Sequence, residues 1–155
     1  MADIKRVGHV VFGTHDLERS IGFYTGILGM EQVCGIEAMG MAFFTFGERD
    51  HDIAVMLVPD EVPIASPGLA HVALEIEGGI DDLRRHHQRL KEAGVPVELT
   101  ADHVVTQSVY FPDPDGNRLE LFCQVLTGAE ALGYMRSVRT PDQALRPLDL
   151  EAAAV

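Results

Sequence analysis

From Lys5 to Phe12 the chain alternates as KRVGHVVF, with Val7, His9 and Val11 on one face and Val10 and Phe12 on the other, which predicts a first strand. Asp16 follows as an N-cap. Leu17, Ile21, Tyr24 and Leu28 then recur at helical spacing until Gly29, where a C-terminal glycine ends the predicted helix. Three β-rich runs come next, EQVCGIEA, MAFFTFG and HDIAVMLV, punctuated by Gly35, Gly40 and Gly47, and they predict a three-stranded meander. The plan to this point is β-α-β-β-β. The stretch PDEVPIASP, Pro59 to Pro67, has three prolines in nine positions, cannot continue a central strand and is read as a connector.

The same order then begins again. Leu69 to Ile76, LAHVALEI, predicts a strand with His71, Ala73 and Glu75 on one face and Val72, Leu74 and Ile76 on the other. Ile80, Leu83, His87 and Leu90 carry the helical period, Gly94 stops it, and VPVELT, VVTQSVYF and RLELFCQV supply three more strands. Two modules, about residues 5–58 and 68–125, therefore share one plan. The last two strands flank Pro112 to Asn117, PDPDGN, a dense turn signal that predicts a hairpin. In its second strand Leu119, Leu121 and Cys123 share a face, and Glu120 points the other way. A carboxylate in so apolar a strand needs solvent, a partner or a cation.

Composition narrows what such a fold does. At 155 residues with 46% hydrophobic content, the chain buries a real core. With 24 acidic against 12 basic residues, and a formal net charge of −12, it lacks the basic footprint that nucleic acid or an anionic membrane demands; a small organic substrate fits better. Cys34 and Cys123 form no metal-binding or CxxC spacing, MADIKRVGH lacks the apolar core of a signal peptide, and no run reaches a membrane span, so a cytoplasmic setting is the expectation. Residues 127–155 turn small and polar. They are expected to form a tail with a short helix over 129–136, and the tail can cover a pocket, reach a partner or fray.

The repeat pairs His9 with His71, each followed by an apolar run, HVVF and HVAL. Taken alone, a histidine on an apolar strand is usually structural; its duplication at one place in both modules points to convergence, with Glu120 entering from the last strand. Two neutral imidazoles and a carboxylate make the facial triad of non-haem Fe(II) oxygenases. The paired modules with these residues resemble the vicinal oxygen chelate superfamily of glyoxalases, fosfomycin and bleomycin resistance proteins and type I extradiol ring-cleavage dioxygenases. The extradiol signature is matched by His103, the pair Val109-Tyr110, Asp113-Pro114, Gly116 and Glu120, with one departure at Ala101.

That resemblance implies an α+β fold of two tandem βαβββ modules forming a cupped mixed sheet around a central metal site, with residues 1–126 as a single domain. It implies Fe(II), or Mn(II), held by His9, His71 and Glu120, a catechol-like substrate and O2. His51, at the start of the fourth strand of module one, matches the acid/base histidine of the extradiol enzymes; Tyr110 and His103 complete the catalytic set. Self-association is expected, since the larger family members carry two such module pairs. Two alternatives stand beside this reading. A glyoxalase, epimerase or thiol transferase needs a Glu or Gln ligand within the fourth strand, where Ile53 to Leu57 has none. A metal-free binder of aromatic or antibiotic ligands lacks the triad. Phe44, Phe46, Ile53, Val55 and Phe111 are expected in the pocket wall.

Overall fold

Both modules build the same small mixed sheet, and each closes it by pairing its first strand with its fourth. The computed structural model describes residues 7–48, 50–64, 68–138 and 140–151, which fall into two units: residues up to 66 with Asp113–Asn117, and residues 67–112 with those from 118 onward. In the first unit β1 (Val10–Thr14) runs parallel to β4 (Ile53–Leu57), with Val10 opposite Ile53, while β4, β3 (Met41–Thr45) and β2 (Glu31–Ile36) form the expected antiparallel meander in the order β1-β4-β3-β2. In the second unit β5 (Val72–Glu75) runs parallel to β8 (Arg118–Gln124), which is antiparallel to β7 (Thr106–Pro112), followed by β6 (Leu99–Asp102). The α+β tandem plan is as expected.

Local chemistry explains most of the boundaries. The Asp16 side chain caps α1 (Leu17–Gly22) by accepting the Arg19 N–H at 3.0 Å, and the helix continues through a wider π-helical turn over Phe23–Ile27 before Gly29 takes up a φ of 75°. Gly94, at φ 71°, ends α2 (Ile80–Glu92) in the same way, and α2 packs on β7 and β8 through Leu83 and Leu90.

Several strands start later than their sequence expectation. Lys5 and Arg6 lie outside the described residues, and β1 begins at Val10, so Val7, Gly8 and His9 precede it. Similarly β5 starts at Val72, and Val95 to Glu98 of VPVELT lie ahead of β6. The edges are trimmed because a strand residue is held by ladder bonds, and the pairing of β1 with β4 begins at Val10, opposite Ile53. Both histidines of the repeat therefore occupy the residue immediately before the first strand of their module, which preserves their correspondence.

The core of the first unit is aromatic. Tyr24 is fully buried, stacked on Phe44 at 5.3 Å between ring centroids and edge-on to Phe23 at 5.4 Å. Its hydroxyl donates to Asp113 Oδ2 at 2.9 Å. Asp113 Oδ1 also accepts the backbone N–H groups of Asp115 and Asn117, and Oδ2 the Asn117 side-chain amide, so one carboxylate builds the PDPDGN turn and anchors a buried phenol. Asp115 beside it accepts from the Thr14 and Ser20 hydroxyls and from the Arg19 guanidinium at 2.6 Å. Burial, then the Asp113 charge, push the Tyr24 phenol far above the usual tyrosine range.

Asp113→Ala strands the Tyr24 hydroxyl and three N–H donors, so urea unfolding should show a loss of about 2–4 kcal/mol, against about 1 kcal/mol for Tyr24→Phe. The raised phenol pKa also sets a sign: the stabilisation is complete below the unfolded tyrosine value of about 10 and declines as pH rises past it. Wild-type stability should therefore fall more steeply above that pH than that of Tyr24→Phe; parallel curves contradict the assignment.

Candidate metal centre

The register of β5, β8 and β7 assembles one polar cluster in the second unit. Glu120 pairs across the ladder with Tyr110 on β7 and with Ala73 on β5, and His71 leads directly into β5. The result places His71 Nε2 3.0 Å from Glu120 Oε2, with the imidazole about one-third exposed and the carboxylate 8% exposed. That separation suits an ion pair, and it also suits two adjacent ligands of a six-coordinate ion, because bonds of about 2.1 Å at right angles put their donor atoms roughly 3 Å apart. Among the described residues no three of His, Cys, Asp and Glu gather closely enough to hold an ion; the second unit supplies this pair. A carboxylate and an imidazole are ordinary donors for iron, manganese or zinc.

Tyr110 stands at the middle of the cluster. Its ring is edge-on to His71 at 5.4 Å, the Arg118 guanidinium carbon lies 4.9 Å from its centroid, and its hydroxyl is 3.0 Å from His103 Nε2. Burial and the neighbouring Glu120 carboxylate hold the phenol above the ordinary range, so it stays protonated and able to donate. His103 Nδ1 lies 2.8 Å from the Ala144 carbonyl oxygen, which only accepts, so Nδ1 carries a proton. In the neutral ring Nε2 is then the acceptor for the Tyr110 hydroxyl.

A tight turn delivers His103. The His103 N–H bonds the Thr106 carbonyl at 2.8 Å, Asp102 Oδ1 accepts the Val104 N–H, and Val104 sits at a φ of 68°, a left-handed conformation unfavourable for a β-branched residue. Holding it there costs about 1–3 kcal/mol, which the surrounding bonds must supply. His103, Val105, Thr106, Tyr110 and Glu120 line a cavity of about 360 Å³, completed by Met135, Val138 and Ala144.

The first unit holds His9 and His51, whose rings lie 4.6 Å apart, with Phe43 edge-on to His51 at 5.3 Å. His51 Nδ1 is 2.8 Å from Asp50 Oδ2, and this contact holds the Asp50 carboxyl below the usual range. Asp50 was a missed partner whose only signal was its place beside His51 in sequence. The pocket wall needs correction. Phe44, Ile53, Val55 and Phe111 are at most 2% exposed and fill the core, whereas Phe46 is 56% exposed. Aromatic and aliphatic strand residues serve a core and a pocket equally well in a sequence, and here packing claims four of the five.

Comparison with known proteins agrees with this architecture. Residues 6–121 match the model of the Glyoxalase/Bleomycin resistance protein/Dioxygenase superfamily. The chain is 32% identical over 139 residues to a biphenyl-2,3-diol 1,2-dioxygenase of Rhodococcus globerulus, covering 87% of this chain and 72% of the relative. It is 30% identical to the metallothiol transferase FosB of Staphylococcus epidermidis, covering 77% and 82% respectively. Among solved structures, the fosfomycin resistance protein FosX of Mesorhizobium loti superimposes with a TM-score of 0.62 at 25% identity, over 79% of this chain and 95% of that one.

Replacing Val104 by Asn, which tolerates the left-handed region better, should raise stability by about 1 kcal/mol in chemical denaturation. A loss of stability contradicts the strain and implies that the valine side chain is held by packing.

Proposed function

Because this chain belongs to the Glyoxalase/Bleomycin resistance protein/Dioxygenase superfamily, we propose that it is a non-haem Fe(II) extradiol dioxygenase opening the ring of a catechol-like substrate with O2. The observation that carries this reading is the convergence of Tyr110, His103 and Glu120 on one cavity, with His71 3.0 Å from Glu120. The biphenyl-diol dioxygenase relative supports the substrate class, and the metallothiol transferase supports dependence on a metal. β4 weighs against the glyoxalase and transferase chemistries, since Ile53, Ala54 and Val55 are buried and apolar and the strand offers no oxygen donor from its side chains.

In this proposal His9 joins the pair of His71 and Glu120 as the third metal ligand, residues 1–126 act as one catalytic domain, and the chain self-associates. Fe(II), or Mn(II) in its place, held by these residues would supply Lewis-acid binding of the vicinal diol and a route for electrons from ring to dioxygen. Glu120 would contribute a single negative charge, so that with two neutral imidazoles a divalent ion would keep a net +1, matched to a singly deprotonated catechol. Tyr110, kept protonated by its surroundings, donates to a substrate oxygen, and His103 Nε2 accepts that hydrogen in the free site. Asp50 fixes the His51 ring through Nδ1, leaving Nε2 to move a proton during ring opening. The carbon–carbon bond beside the diol breaks, both atoms of O2 enter the product, and no external reductant is consumed. A lactone then hydrolyses to a semialdehyde-type acid.

Loading with Fe(II) without air, then adding catechols and oxygen, should give a yellow ring-fission product with matching oxygen uptake. Glu120→Ala should lose the iron. His51→Ala should keep it while its rate falls by about 10²–10⁴-fold, the range of a lost proton-transfer group. Iron retention in Glu120→Ala, or no turnover across a panel of substituted catechols, overturns the proposal.

A further inference from the structure

The family match ends at residue 121, yet the chain continues into ordered structure that reaches the cavity. Of the eight lining residues, Met135, Val138 and Ala144 come from this later segment. Met135 belongs to α3 (Gly128–Ser137), a helix with no buried residue, in which Met135 is 58% and Leu132 56% exposed. An apolar side chain that lines a cavity while this exposed, as Met135 does, gains from covering by apolar matter.

The segment is not a loose end. Tyr134 donates to the Gln143 carbonyl at 2.6 Å, joining α3 to α4 (Pro141–Ala144). A two-residue strand, β9 (Arg146–Pro147), extends the sheet beyond β6. The Thr100 hydroxyl donates to the Leu148 carbonyl at 2.6 Å, Leu150 is 6% exposed, and Glu151 pairs with Lys91 of α2 at 2.6 Å. The contact between the Ala144 carbonyl and His103 Nδ1 therefore lies on a strap fastened at several points beyond it.

We propose that residues 128–138 and 140–151 are the substrate-reading wall of the site, in which Met135 and Val138 receive an apolar substituent on the ring and the Ala144 carbonyl is a positioning group that selects the tautomer of His103. The substrate class is taken from the reaction proposed above. The polar lining, His103, Thr106, Tyr110 and Glu120, serves the diol, and a cavity of about 360 Å³ exceeds what one six-membered ring fills. What remains is aliphatic: Val105, Met135, Val138 and Ala144.

The test is calorimetric titration of the Fe(II)-loaded full chain, without oxygen, against 3- and 4-alkylcatechols from methyl to butyl. Affinity should rise about fourfold per methylene in the wild type, as expected for a buried CH₂. The slope should fall below about twofold in Met135→Ala and recover in Met135→Leu. Separately, ¹⁵N resonances of the His103 imidazole in iron-free protein should report a protonated Nδ1, and Leu150→Asp, which frees the strap, should average the two nitrogens. Thr100→Val gives the same readout where Leu150→Asp does not fold. A flat series in the wild type, an unchanged slope in Met135→Ala, or a His103 signature indifferent to strap release overturns the inference. A steep series without ring opening in air removes the proposed reaction and leaves this wall standing; ring opening with a flat series does the reverse.

Discussion

A carboxylate placed in the middle of an apolar strand is stable as an anion only where neighbours supply positive charge or donated hydrogens, and Glu120 is in that position on β8. Its partners come from the ladder itself: Tyr110 is its cross-strand neighbour, and His71 leads into the strand on its other side. A slip of one residue between β7 and β8 would turn Glu120 to the opposite face and dissolve the cluster, so the hydrophobic alternation of Leu119, Leu121 and Cys123 is what fixes the site's geometry. Core packing and chemistry are thus set by the same register.

The first unit solves a related problem with the PDPDGN turn. Asp113 and Asp115 lie deep in the structure, and each is satisfied by several donors, among them a buried tyrosine hydroxyl and an arginine. The turn that looks like a simple hairpin connector is therefore also the polar centre of an aromatic core, and its acid-proline-acid-glycine pattern has structural work independent of any ligand.

Much of this was legible in the chain. Hydrophobic periodicity, the Asp16 cap and the stops at Gly29 and Gly94 gave element order and the tandem plan, because they depend on contacts a few residues away. The pairing of His9 with His71 survived as well, each one residue ahead of its strand. What stayed hidden depends on distant contacts. Strand ends at Val10 and Leu99 follow from where partners begin, and the aromatic residues expected around a ligand went to the core. The strap from Ala144 to Glu151 has too little periodicity to read, since a two-residue strand and a single buried leucine hold it. Asp50 beside His51 carried a signal only in hindsight of their 2.8 Å contact.

The proposed function stands or falls on one ion being held by His9, His71 and Glu120. Anomalous scattering at the iron edge, from crystals of the Fe(II)-loaded chain grown without oxygen, tests it most directly. The account predicts a single peak about 2.0–2.3 Å from an imidazole nitrogen of His9, an imidazole nitrogen of His71 and a carboxylate oxygen of Glu120. Bound iron whose peak lies away from any of these three residues contradicts it.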